Sequence, residues 1–269
     1  MFQLDDFFAG SPESFDTHYG YGGMEGDGDV FKEQNIRAFT KYVLDNTHGL
    51  GVHFMMADGG FTVEGQENIQ EILSKQLYLC QFLVAMSIVR TGGHFVCKLF
   101  DLFTPFSVGL VYLMYRSFEQ VTIHKPNTSR PANSERYIIC KNKRADADSV
   151  RDYLLEINMR LNEIGLSLTG GTTSEVDVRE IVSEDIILDD EKFTEYMTES
   201  NNTLGERQVV ALSKIAAFCK DPTLRENRQE EIKNQCLNFW QIPNEARKAP
   251  KQEPPRVLIT RLLGEFSCI

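Results

Sequence analysis

The chain is poor in proline and tryptophan, and it has no long apolar run. Nine prolines and one tryptophan stand among 269 residues. The longest apolar stretches, around 77–89 and 103–115, are interrupted by polar residues and fall short of the roughly 18 residues that a membrane span needs. The first eight residues hold Asp5 and Asp6 but no basic side chain, which excludes a secretory leader. Closely spaced cysteines are also absent. Cys80, Cys97, Cys140, Cys219, Cys236 and Cys268 form no Cys-x-x-Cys, and no histidine pair sits at zinc spacing. They read as reduced thiols of an intracellular protein, with no metal site. The sequon-like Asn127-Thr128-Ser129 and Asn201-Asn202-Thr203 then carry no glycosylation meaning. No Gly-x-Gly-x-x-Gly marks a strand–helix turn, so a nicotinamide-type dehydrogenase is set aside. The acidic, glycine-rich stretch ending in Glu25-Gly26-Asp27-Gly28-Asp29 is not a calcium loop. Val30 would fall where the turn glycine belongs and Ile36 where the bidentate glutamate belongs.

What remains is a globular composition, with 42% hydrophobic and 25% charged residues. The net charge of −11 does not advertise nucleic-acid binding. It is uneven, however. Between positions 98 and 144 lie Lys98, Arg116, Lys125, Arg130, Arg136, Lys141, Lys143 and Arg144, against Asp101, Glu119 and Glu135. Such a face either binds phosphate or is a solvated loop and strand edge; charge alone does not choose.

Apolar periodicity gives the organisation. Residues 35–46 read as a short helix with Ile36, Phe39, Val43 and Leu44 on one side. Residues 51–57 are apolar nearly throughout, which predicts a buried parallel strand. A long helix follows over 67–89, stopped by Gly92-Gly93. A second buried strand spans 94–100. Thr104-Pro105 opens a helix over 106–116. Strands follow at 118–125 and 135–141, joined by a polar loop and therefore antiparallel. Strand, helix, strand, helix, strand is a doubly wound α/β pattern. Further helices are predicted at 150–164, 206–218 and 226–240. Pro250, Pro254 and Pro255 mark a linker before a short segment at 257–269. Residues 1–145 are thus expected to form the α/β part, 146–247 a helical region that closes it, and 248–269 the linker and the start of something further.

Three charged groups stand at or near the ends of apolar strands. Asp58 ends the first, Lys98 lies in the second, and Glu135 opens the fourth. Ligands of open α/β sheets bind beyond the carboxyl ends of parallel strands, which suits Asp58. Lysine is rarely buried without a partner, and a tuned lysine can serve as a general base. Each residue alone has an ordinary explanation. An Asp before Gly-Gly is usually a turn residue, and a strand-end lysine usually snorkels to water.

The segments Met56-Ala57-Asp58-Gly59-Gly60-Phe61 and Gly65-Gln66-Glu67-Asn68 resemble the cap ribose 2′-O-methyltransferases of the FtsJ-like, Rossmann-fold class. So do Gly92-Gly93-His94-Phe95-Val96-Cys97-Lys98-Leu99-Phe100-Asp101 and the run from Lys125 to Tyr137, with its Lys-Pro-x-x-Ser-Arg-Pro-x-x-Ser-Glu pattern. The resemblance covers most of 1–247 and is strongest over 51–141. It implies a partial Rossmann-like, S-adenosylmethionine-dependent methyltransferase sheet with a C-terminal helical extension. The implied reaction moves a methyl group to the 2′-hydroxyl of the first transcribed nucleotide of capped mRNA, in the nucleus and near the transcription machinery. Of the family's Lys-Asp-Lys-Glu set, Asp58, Lys98 and Glu135 take the last three places. Lys98 would be the base, Asp58 would lie near the donor and the lysines, and Glu135 would orient the base. Asp29 would sit at the donor's edge, and Asn68, Asn133 and Arg130 against the capped RNA.

The family's glycine-rich donor loop and its first lysine have no match in residues 1–30. The resemblance therefore implies an N-terminally incomplete domain, whose absent first strand would leave 52–56 as an apolar sheet edge. On its own such a chain is expected to be catalytically silent. The alternative is a remnant that only binds capped RNA.

Overall fold

A computed structural model describes residues 15–60, 64–169 and 177–244. The expected linker and the 257–269 segment lie outside the described residues. The chain divides into two compact units, Met1–Ala216 and Ala217–Ile269. The first holds α1 (Glu33–Asn46), β1 (Val52–Ala57), a 3-10 turn (Glu67–Ile69) and α2 (Gln70–Ile88). It continues with β2 (Val89–Leu99), α3 (Pro105–Ser117), β3 (Phe118–His124), β4 (Arg136–Lys143), α4 (Asp148–Thr169), α5 (Glu184–Asp189) and most of α6 (Glu191–Lys220). In the second unit, α7 (Gln229–Trp240) buries none of its side chains.

The four strands form one sheet in the order β1-β2-β4-β3. β1 and β2 run parallel, and β4 is antiparallel to both β2 and β3. The hairpin of β3 and β4 follows from their short connection. Spacing alone did not give the insertion of β4 between β3 and β2. There β4 pairs Leu99 with Arg136 and Phe95 with Cys140, and Ile138 and Cys140 join the core.

Among the described residues, one face of this sheet is packed by helices. Phe95, Cys97, Leu99, Ile138 and Cys140 lie fully buried on the side where α2 and α3 pack. α2 is apolar nearly all round because α4 packs on it in turn. Asn158 of α4 is fully buried there. Its amide donates to the Phe31 carbonyl at 2.9 Å and accepts from Gln76 at 3.0 Å. Side-chain alternation then puts Phe54, Met56, His94, Val96, Lys98, Tyr137 and Ile139 on the opposite face. Phe54 is 52% and Met56 67% exposed. Burial of these strands on both faces, expected from their apolar runs, is thus corrected: among the described residues no helix covers the second face. β1 is also an edge, as expected, since β2 is its one partner among the described residues.

Two helix boundaries differ from expectation. α2 ends at Ile88, before Gly92-Gly93, because Val89 already pairs with Val52. The glycines serve a bulge instead: Val52 faces Val89 while Phe54 faces His94, and the surplus residues of β2 arch outward. Gly92 takes φ 76°, and a Cβ on Gly93 would sit 2.7 Å from Val89 Cγ1. α6 begins at Glu191 rather than near 206. Asn201, Asn202 and Gly205 make its first half look like a loop, yet Phe193 and Met197 anchor it in the core.

An exposed apolar edge strand invites pairing between chains. Replacing Met56 with Lys should lower self-association, read by sedimentation velocity in an ultracentrifuge, while the melting temperature holds. Unchanged association would show that this edge does not drive it.

Candidate active site

Asp58 follows Met56 by two residues, so alternation aims it to the open face, where Lys98 also points. Lys98 Nζ lies 2.5 Å from Asp58 Oδ1 and donates to the Asp58 carbonyl at 3.4 Å. The lysine side chain is 17% exposed and the aspartate 54%. The pair therefore joins the carboxyl ends of two parallel strands at a partly desolvated place. A Cβ on Gly60 would lie 3.4 Å from Lys98 Nζ, so glycine there keeps the approach to the ammonium clear.

Across the sheet Lys98 pairs with Tyr137. The Tyr137 hydroxyl donates to Glu135 Oε1 at 3.4 Å. Burial pushes this hydroxyl above its ordinary value, and the Glu135 and Asp58 carboxylates add to the rise. Asp58, Lys98, Tyr137 and Glu135 thus stand at one end of the sheet. Among the described residues Lys98 forms its ion pair with Asp58 and Glu135 forms none with Lys98; Tyr137 is the lysine's partner across the sheet and bonds to Glu135. Tyr137 escaped sequence reasoning, although its place two residues after Glu135 and its strand periodicity were signals for it.

A buried framework holds this end of the sheet. Arg136 is 2% exposed. It donates to Asp101 at 2.8 Å, to Asn201 Oδ1 at 3.0 Å and to the Ser134 carbonyl at 3.0 Å. Asn201 in turn donates to the Leu102 carbonyl at 2.9 Å. Burial raises the Asp101 carboxyl, and the Arg136 charge opposes that rise. Glu71 accepts from the Phe103 and Thr104 amides at 2.9 and 2.8 Å and so ties down the loop that enters α3.

The other expected residues lie apart from the pair. Asn68 is exposed in the 3-10 turn before α2, and Arg130 is exposed in the loop between β3 and β4. Asn133 is half-buried in the same loop. Asp29 sits in the loop before α1 and accepts from the Phe31 amide at 2.9 Å. That loop is built on buried Asn35, which accepts from the Tyr21 amide and donates to Asp27 and to the Asp29 carbonyl. A pocket of about 480 Å³ opens between this loop, α1, α2 and the end of β1, lined in part by Gly28, Asn35, Met55, Asp58, Gly60 and Gln81. Gln81 Oε1 accepts from the Gly59 amide at 2.7 Å, while its buried Nε2 has no acceptor among the described residues.

Residues 15–143 match the model of the family described as FtsJ-like methyltransferase. The chain is 56% identical over 255 residues to a Homo sapiens protein named cap-specific mRNA (nucleoside-2′-O-)-methyltransferase 1, with 95% of this chain and 30% of that protein covered. It is 51% identical over 268 residues to the Drosophila melanogaster protein of the same name, covering 99% of this chain and 33% of that one. The chain therefore spans about a third of the length of these relatives.

Two tests follow from the geometry. Replacing Arg136 with Met leaves the half-buried Asp101 carboxylate without its cation and Asn201 Oδ1 without its donor, and should cost about 1–3 kcal/mol in chemical denaturation. A loss within experimental error would show the pair to be dispensable. In the loop before α1, the Lys32 ammonium first, then the Asp29 amide and Asn35, hold Asp27 down from 3.8 to about 2. The ionised form therefore supports this loop above the ordinary carboxylate range, and the support fades as pH falls through about 2. Amide chemical shifts of residues 19–32, followed by NMR, should titrate with that low midpoint; a midpoint near 3.8 would contradict the network.

Proposed function

We propose that this chain forms the acceptor side of an mRNA cap ribose 2′-O-methyltransferase, a reading supported by the match of residues 15–143 to the FtsJ-like methyltransferase model. The observation that carries the proposal is the Asp58–Lys98 pair at the carboxyl end of β1 and β2, where α/β sheets place their ligands. S-adenosylmethionine, as donor, would supply a methyl group already activated on a sulfonium sulfur. The residues present fit part of such a donor. The pocket beside Asp58, Gly59 and Gly60 has room for a nucleoside-sized group, and the orphaned Gln81 amide offers it a hydrogen bond. Asp29, next to Gly28 on the rim, would face the donor's edge.

Lys98, as the base, would accept the proton of the ribose 2′-hydroxyl as that oxygen bonds to the methyl carbon and the carbon–sulfur bond breaks, its electron pair leaving with the sulfur as a neutral thioether. Asp58 keeps the lysine amine aimed at that oxygen and stabilises the ammonium once the proton has arrived. Glu135, through its contact with Tyr137, adds a second negative charge on the far side of the lysine. Because the donor carbon is reactive from the start, much of the acceleration comes from holding the hydroxyl in line with it. Asn68, Asn133 and Arg130, on loops flanking the same end of the sheet, would hold the capped RNA.

Lys98→Ala in the complete protein should lower methyl transfer to a capped oligonucleotide by about 10²–10⁴-fold, while affinity for that oligonucleotide holds, since a base acts in the transition state rather than in binding. Unchanged turnover would remove Lys98 from the reaction. A parallel loss of affinity would make it a phosphate contact. Binding of capped RNA by the unaltered protein with no methyl transfer would favour the RNA-binding alternative.

A further inference from the structure

Lys125 opens the loop between β3 and β4 and belongs by sequence to a basic stretch suited to phosphate. Its surroundings give it a different task. The ammonium donates to Ser129 Oγ at 3.1 Å, to the Asn133 carbonyl at 3.0 Å, to Asn133 Oδ1 at 2.9 Å and to the Glu135 carbonyl at 2.7 Å. An ammonium has three donors, and four acceptors already converge on it. The side chain is half-buried, and burial pulls the ammonium below its ordinary value although the Glu135 carboxylate opposes this. None of its three N–H donors is left for an RNA phosphate.

The same contacts fix one amide. A lysine ammonium can only donate, so the end of the Asn133 side chain that faces it is the carbonyl oxygen, however nitrogen and oxygen are assigned. The Asn133 NH₂ then points away from Lys125 and has no acceptor among the described residues. We infer that Lys125 is a positioning residue, whose ammonium templates the loop from Pro126 to Glu135 and turns the Asn133 NH₂ outward as a donor to an acceptor oxygen of the bound RNA. This rests on the RNA-facing role proposed for Asn133. It adds which end of the amide does the work and what sets it. The link to Glu135 is direct as well, since the ammonium holds the backbone carbonyl of that residue.

The test uses Lys125→Met, Lys125→Arg and Asn133→Asp in the complete protein. In Lys125→Met the amides of Ser129 and Asn133, bonded to the Pro126 and Arg130 carbonyls, should exchange with deuterium about tenfold faster or more; unchanged exchange overturns the templating role. Lys125→Arg keeps the charge but brings a planar fork that does not suit four convergent acceptors. It should therefore fail to restore either exchange or affinity for a capped oligonucleotide, and full rescue overturns the inference. A phosphate contact would also reveal itself by salt: losing one lowers the slope of log affinity against log salt by about 0.7–0.9. The slope for Lys125→Met should stay at the parent value, and a drop of that size overturns the inference. Asn133→Asp keeps an acceptor for Lys125 and removes the NH₂. Its affinity should fall on the order of tenfold with loop exchange unchanged, and parental affinity overturns the outward amide. Failure of the unaltered protein to bind capped RNA would overturn the functional proposal and the amide's role together, while the exchange measurements still decide the templating.

Discussion

Arg136 and Asp101 meet inside the protein, at the end of the sheet where β2 finishes and β4 begins. The arginine is almost wholly buried and needs the half-buried aspartate as its counter-charge, so the pair pins one strand against the other. Arg136 sits opposite Leu99 and next to Glu135, and Asp101 lies three residues beyond Lys98. A slip of β4 by one residue against β2 would turn Tyr137 into the core and expose Ile138. The arginine thereby fixes which face of β4 enters the core. Its bond to Asn201, which in turn donates to the Leu102 carbonyl, fastens α6 to the same corner. The polar first half of α6 is held there by these contacts and by Phe193 and Met197.

From that corner the site is assembled by simple alternation. The core face of β2 and β4 takes Phe95, Cys97, Leu99, Ile138 and Cys140, and the other face is left with Val96, Lys98, Tyr137 and Ile139. Parallel pairing of β1 with β2 brings Asp58 to Lys98, since both chains leave the sheet at the same end. Antiparallel insertion of β4 brings its start to that end too, and with it Glu135. Lys125, at the exit of β3, then ties the connecting loop to the Glu135 carbonyl. Three connections of different kinds thus converge at the Asp58–Lys98 pair.

Much of this was legible in the residues. The four strands and the main helices follow from apolar runs and their punctuation, and Lys98 stood out as a cation inside an apolar strand. Less legible were features that depend on partners distant in sequence. The place of β4 beside β2 is decided by Ile138 and Cys140 entering a core built by α2 and α3. The end of α2 is decided by Val89 finding Val52. Glu71 and Arg136 look like surface charges in the sequence, yet one caps the loop before α3 and the other is almost wholly buried. Apolar content also misled in one direction. The runs at 51–57 and 94–100 suggested burial on both faces, whereas Phe54 and Met56 are largely exposed.

The central claim is that the Asp58–Lys98 pair marks the place of the accepting hydroxyl. A crystal structure of the complete protein with a capped oligonucleotide and the demethylated donor tests it most directly. The claim predicts the 2′-oxygen of the first transcribed nucleotide at hydrogen-bond distance from Lys98 Nζ, about 3 Å, with Asp58 still beside the lysine. A ribose seated elsewhere, with Lys98 turned to a phosphate or to bulk water, would contradict it.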